Sequence, residues 1–227
     1  MHELRRTAPG KQQQREQTRA RLVEAALGVF SLHGYDHATV EEISLAAGHS
    51  KGAYYFHFDS KEAIFLELLS NWVEEQNQRL RAFERSPQPP TVALLETVES
   101  LLRYDDRNEN WPALLPEFWA QVQRNEKVRA MLHRAYEEWI SLLTGVLEKA
   151  QQSGVFRLRV EAPTAAGLIL ALHDGLVAQR RLLPFAGKKQ PLSRTLGAFL
   201  KVITEAAETA PATAIAPVRK RTVKRPR

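Results

Sequence analysis

Lys51, Tyr54, Tyr55, His57 and Lys61 crowd into the eleven residues KGAYYFHFDSK, a density of cationic and phenolic donors that suits the recognition of a polyanion. A lysine in the first turn of a short helix can donate to guanine O6 and N7 in the major groove of a duplex. Gly52 and Ala53 beside it are small, so the helix that carries them can lie close to the groove floor or against a thymine methyl. Lys61 falls at a helix start, where backbone N–H groups themselves favour a phosphate. Thr39, upstream, has a hydroxyl that can cap a helix and donate to a phosphate oxygen. The chemistry is non-covalent: contacts to base edges and phosphates of double-stranded DNA.

Such contacts need elements that hold them in register, and the stretch TVEEISLAAGHSKGAYYFHFDSK supplies three helix starts. Thr39 with Glu42 three positions later is a capping box. It opens a short helix, Val40 to Ala47, closed by Gly48, the residue type that takes the left-handed conformation after a helix. Ser50 caps a second short helix, Lys51 to about His57, and Asp59 or Ser60 caps a third that begins at Lys61. Two short helices around a glycine turn, the second basic and aromatic, form a helix-turn-helix pattern.

The order Thr39…Ile43…Ala47-Gly48-x-Ser50-Lys51-Gly52-Ala53-x-Tyr55-x-x-Phe58-x-x-Lys61-Glu62 resembles the DNA-binding signature of the TetR family of bacterial transcriptional regulators. The resemblance is strong over residues 15 to 65 and continues beyond as a pattern of helices. It departs from the usual family form at His49 and Tyr54, where a small apolar residue and a leucine are common. The resemblance implies that Tyr55 faces DNA and Tyr54 the interior, that His57 and Lys61 meet phosphates, and that Arg15, near the start of the first helix, touches the DNA backbone. It also implies a second lobe with an effector pocket and a homodimer interface.

The expected fold is all-α, with about nine helices in two lobes. Residues 1–12 are polar and expected to be disordered. Residues 13–60 make the helix-turn-helix domain, 61–85 a linking helix, 91–210 the effector-binding and dimerisation domain, and 211–227 a disordered basic tail. The first helix, Gln13 to His33, has Leu22, Val23, Ala26, Leu27 and Phe30 at helical spacing and stops at Gly34. The linking helix ends before Ser86-Pro87-Gln88-Pro89-Pro90, which cannot continue it. Further helices are predicted over Val92 to Tyr104, Asn110 to Arg124, Asn125 to Gln152, Pro163 to Leu182 and Ser193 to Glu208. No strand is expected, and Val155 to Val160 reads as loop.

Tyr104, Trp111, Phe118, Trp119, Tyr136 and Trp139 concentrate the large aromatics in the second lobe, and an aromatic-lined helical cavity suits an apolar or aromatic ligand. With Leu115, and with His133 and His173 as polar groups, they are the expected pocket. Leu168, Ala171, Gly175 and Leu176 on one helix, with Leu196, Phe199, Leu200 and Ile203 on the last, are the expected dimer interface. Two recognition helices about 34–36 Å apart would then meet successive major grooves of a palindromic operator. Ligand binding would tilt the linking helix and alter that spacing, so that a repressor leaves its operator.

Composition narrows the alternatives. The chain of 227 residues has no cysteine, which removes disulfides and thiolate metal sites and suits a reducing cytoplasm. The start, MHELRRTAPGKQQQ, lacks the apolar core of a secretory signal, and no apolar run approaches a membrane span. HExxH and GxxxxGK[ST] motifs are missing, and the GHSKG run at residues 48–52 falls between two expected helices rather than at the strand-to-helix elbow that a GxSxG nucleophile needs, so neither an enzyme nor a cofactor is expected. The net charge of +6 is local: PVRKRTVKRPR holds six basic residues, and without it the remaining 26 acidic residues are matched by as many basic ones. Such a tail suits non-specific nucleic-acid contact. A helical ligand carrier or protein–protein adaptor is the alternative, and sequence-selective duplex binding would separate the two.

Overall fold

The computed structural model describes residues 10–89, 92, 96, 111–154, 156–179 and 192–206. Among these, eight helices and two short strands account for the fold: α1 Lys11–His37, α2 Val40–Ala46, α3 Lys51–His57, α4 Lys61–Glu84, α5 Trp111–Val122, α6 Glu126–Gln152, β1 Phe156–Leu158, α7 Ala162–Gln179, α8 Leu192–Ile203 and β2 Thr204–Ala206. The helix predicted over Val92 to Tyr104 lies outside the described residues apart from Val92 and Glu96, as does the basic tail.

Local chemistry sets the helix ends in the N-terminal lobe. α1 begins two residues earlier than expected, at Lys11, and buries Leu22, Ala26, Leu27, Val29 and Phe30 along one stripe. Gly34, at φ 76°, breaks its axis, and one further turn leads to Ala38. The capping box of α2 is complete: the Thr39 hydroxyl accepts from the Glu42 N–H at 3.2 Å, and the Glu42 carboxylate accepts from the Thr39 N–H at 2.8 Å. Gly48, at φ 72°, turns the chain from α2 to α3 in the left-handed region that a side chain disfavours. Ser50 accepts from the Ala53 N–H and Ser60 from the Ala63 N–H, so α3 and α4 each start on a serine cap.

α4 passes from the small lobe into the large one and packs against α6, which in turn packs against α7; α5 packs against α1 and α6. The core is continuous between the lobes. Phe30 meets Phe65 edge-on at 5.4 Å, Phe65 meets Phe118, Phe118 stacks with Trp72, and Trp72 meets Trp139 edge-on at 5.3 Å. Each such pair adds about 0.5–1.5 kcal/mol beyond area burial.

The expectation of no strand is corrected. β1 and β2 pair antiparallel with Phe156 opposite Ala206 and Leu158 opposite Thr204, so the last helix ends at Ile203 rather than near Glu208. The Arg159 N–H donates to the Ile203 carbonyl at 2.9 Å, and the Leu158 N–H donates to the Gln151 side chain. Three-residue strands show too little alternation to be read from sequence, and they exist because the segment that follows α8 returns beside the turn after α6.

Candidate nucleic-acid interface and ligand groove

α3 has one inward residue, and this orients the rest. Tyr54 is 0% exposed and its hydroxyl donates to the Ser60 carbonyl at 3.0 Å, tying α3 to the start of α4. Burial pushes this phenol well above the ordinary tyrosine range. With Tyr54 and Phe58 inside, the opposite side of α3 is outward. Lys51 and Gly52 are exposed, Ala53 is half-buried, and Tyr55 is 47% exposed. A Cβ on Gly52 would meet only the Ser50 Oγ at 3.7 Å, so the surface there is low and open. The Lys51 ammonium lies 5.9 Å from the Tyr55 ring and pairs with Glu41 of α2.

Phe56 is a member of this surface that the sequence reading missed. It is 62% exposed, and the Arg15 guanidinium sits over its ring at 4.8 Å. The signal was available: Phe56 is two positions from Tyr54, about 200° around a helix, so an inward Tyr54 sends Phe56 outward. The stacking also gives Arg15 a fixed place beside α3. Arg19 is likewise held, over the Phe58 ring and paired with Glu67.

Lys61, expected at a phosphate, is committed differently in this conformation. Its Nζ donates to the carbonyls of Tyr35 at 2.6 Å, Asp36 at 3.2 Å and Ala38 at 2.9 Å, which engages its three N–H bonds at the α1–α2 corner. Lysine satisfying carbonyls at a helix end is favourable both as hydrogen bonding and against the helix dipole. Thr39 is occupied in its cap, donating to Glu42 Oε2 at 2.9 Å as well as accepting from the Glu42 N–H. His57 is half-buried beside Phe56, and burial, then Arg15, Arg19 and His49, hold its imidazole below the ordinary histidine range. The His49 ring places Nε2 in the interior without a hydrogen-bond partner.

In the large lobe an open groove of about 580 Å³ lies between α5, α6 and α7. Trp119, Val122, Leu132, Tyr136 and Ala178 supply apolar wall, and Arg129, His133 and Asp174 supply polar groups. Of the expected pocket residues, Trp119, His133 and Tyr136 line it. Leu115, Phe118 and Trp139 instead belong to the core, and the Trp139 indole N–H donates to Asn77 Oδ1 at 2.6 Å. Trp111 faces a different groove, against Val23, Leu27 and Leu68 of α1 and α4. Tyr104 lies outside the described residues. His173 is buried and does not line the groove, its Nδ1 lying 2.9 Å from Asp174 Oδ1.

Asp174 was not anticipated, although it is the sole Asp, Glu, Lys or Arg of APTAAGLILALHDGLVAQ, a helix made mostly of apolar and small residues. The Tyr136 hydroxyl donates to Asp174 Oδ2 at 2.6 Å, and burial followed by the Asp174 charge drives the phenol far upward. Gly175, expected at a dimer face, lines the groove. Leu200 and Ile203 are also corrected: both are buried in their own protomer, because the inward face of α8 closes the core. Leu176 and Phe199 pack partly against that core. Leu168 and Ala171 are exposed, with Val202 of α8 69% exposed, and the Leu196 side chain lies outside the described set.

α5 links groove and head. Trp119 and Val122 face the groove, while Glu117 Oε2 accepts from the Tyr35 N–H at 2.8 Å. A Cβ on Gly34 would meet that carboxylate at 3.4 Å, so the corner is closely fitted. Beyond α5, Arg124 reaches Asp36 at 3.3 Å, and Asn125 and Lys127 reach Glu62 at 2.8 and 3.1 Å. No helix among the described residues is long and apolar enough to cross a membrane.

Comparison with known proteins agrees with this geometry. Residues 22–68 match the family model described as bacterial regulatory proteins, tetR family, and residues 90–205 match that of the BetI-type transcriptional repressor, C-terminal. The HTH-type transcriptional repressor DhaR of Mycobacterium sp. (strain GP1) is 25% identical over 194 residues, 85% of this chain and 93% of that protein. The HTH-type transcriptional regulator UidR of Escherichia coli (strain K12) is 28% identical over 167 residues, 74% of this chain and 83% of that one. A transcriptional regulator from Saccharomonospora viridis, crystallised with choline, superposes with a TM-score of 0.72 at 26% identity, covering 84% of this chain and 99% of the other.

Proposed function

The chain belongs to the TetR family of bacterial transcriptional regulators, and on that premise we propose that it is a dimeric cytoplasmic repressor, released from a palindromic operator when a small effector fills the groove between α5, α6 and α7. Lys51 and Tyr55 read bases and adjoining phosphates, with Phe56 and Arg15 beside them. His57, the α4 N-terminus and the Thr39 corner approach the backbone. The exposed face of α7 and α8 that carries Leu168, Ala171 and Val202 joins two protomers.

The observation that carries the reading is the double role of α5. One face lines the groove through Trp119 and Val122, and the next holds the Tyr35 N–H through Glu117. A ligand that favours a displaced α5 thereby disfavours the present α1–α2 corner, which sets the cap of α2 and hence the pose of α3. Lys61 sits at the same corner, so the strain passes to α4 as well. The effector is a compound with an apolar or aromatic body, and Asp174 among Trp119 and Tyr136 favours one with a positively charged head. The choline bound to the Saccharomonospora viridis regulator is a ligand of that kind.

Selection from random duplexes across a salt series tests this. The expected product is a palindrome with half-sites about one helical turn apart, bound by two protomers and released on titration with choline or a bulkier quaternary ammonium. Binding without an enriched site would refute the operator reading, and ligand binding that leaves operator affinity unchanged would refute the coupling.

A further inference from the structure

Glu41 pairs with Lys51 of the outward surface of α3, and beyond the modest help that an acid gives to a helix start the head does not use it. It lies in the first turn of α2 beside Glu42, but the capping box uses Glu42 alone. Both the Glu41 and Lys51 side chains are more than half exposed, so neither closes a core. What Glu41 does touch is the Lys51 ammonium, across the turn that joins α2 to α3. The two perturb each other reciprocally: the lysine holds the carboxyl below its ordinary range and the carboxylate holds the ammonium above its own.

We propose that Glu41 is a specificity-determining residue, which holds Lys51 in place for base reading and cancels its charge on DNA that lacks the matching base. The inference rests on the reading of Lys51 as a base contact. A lysine has three N–H donors, so it can keep one bond to Glu41 while another reaches guanine O6 or N7. On a duplex of any other sequence, the paired ammonium contributes little to phosphate attraction.

The pair itself has small energetic worth, because exposed ion pairs contribute about 0–1 kcal/mol. Its effect on DNA is larger for a separate reason. Each phosphate neutralised by a basic side chain steepens the dependence of log K on log[salt] by about 0.9. A freed Lys51 therefore adds one such contact on every sequence.

Glu41→Gln tests the proposal, with Lys51→Ala and the double variant alongside, measured on a selected duplex and on one of scrambled sequence. Glu41→Gln is expected to bind the scrambled duplex roughly three- to tenfold more tightly at about 50–100 mM salt, with a slope steeper by about one. Its affinity for the selected duplex changes less than threefold, so the ratio between duplexes falls. In the Lys51→Ala background the same change is expected to add nothing on scrambled DNA. Equal gains on both duplexes, or a gain that persists without Lys51, would reduce Glu41 to a plain surface charge and overturn the proposal. If Lys51→Ala leaves selected-duplex affinity unchanged, the reading of Lys51 itself fails, a result distinct from either.

Discussion

The two lobes use aromatic side chains under different rules. In the DNA-binding head, α2 and α3 are seven residues each, and the positions of Tyr54, Tyr55 and Phe56 follow from one another once Tyr54 is inside. In the large lobe, α6 runs for 27 residues, with Tyr136 on the groove and Trp139, three positions on, in the core. A short helix capped at its start and closed by its neighbour has little choice of face. A long helix packed on both α4 and α7 divides its aromatics according to partners far away in sequence.

Changes within each lobe sharpen this contrast. The largest effect is expected from Tyr54→Ala, which removes the sole buried residue of α3. Truncation of a buried aromatic costs about 3–5 kcal/mol. Denaturant unfolding should show the loss, and selected-duplex binding should fall steeply because Tyr54 is the fully buried anchor of α3. Trp139→Phe is the matching change in the large lobe: it keeps the ring but leaves Asn77 Oδ1 without its donor, at a cost of about 1–3 kcal/mol. Its duplex affinity should remain within threefold of the parent. A tenfold loss would show that the lobes are not separable in this way.

Glu117→Ala addresses the joint between them. Loss of the acceptor for the Tyr35 N–H should lower stability by about 1 kcal/mol. The more telling readout is the shift of operator affinity with ligand, measured with choline or a bulkier quaternary ammonium. If α5 carries the coupling, that shift shrinks while the affinity for ligand in the absence of DNA is retained. An undiminished shift would return the coupling to α4 alone.

The smallest effect is on pH. His57 titrates below its unfolded value because of burial and the neighbouring Arg15, Arg19 and His49. The unfolded chain therefore binds more protons around pH 6.5, and stability falls as pH drops through that region. Phosphate acts oppositely, favouring the imidazolium in the complex. Duplex affinity should rise, by less than about threefold, between pH 7 and 5.5, and His57→Gln should flatten the profile. A flat profile in the parent protein would remove His57 from the phosphate contacts.

The head was legible because its signals are local. Thr39 with Glu42, Ser50, Ser60, Gly34 and Gly48 each act within four residues, and each stands where its type predicts. The side chains that escaped prediction there are those whose partners are distant. Arg19 meets Glu67, Lys61 meets the carbonyls of Tyr35, Asp36 and Ala38, and Arg15 meets Phe56. In the large lobe, helical periodicity located the helices but not their assignments. Leu115, Phe118 and Trp139 have the same composition as a pocket wall, and Leu200 and Ile203 the same as a dimer face.

By itself the sequence determined a predominantly helical chain and the caps and turns of the helix-turn-helix, because hydrogen bonds to near neighbours and a 3.6-residue period are properties of short stretches; the inward place of Tyr54 came with the family resemblance. Only the tertiary structure decided which aromatics wall the groove, that Asp174 stands among them, that β2 returns to pair with β1, and that Lys61 braces the α1–α2 corner. Those depend on which helix faces meet, and that is set by the joint packing of residues scores of positions apart.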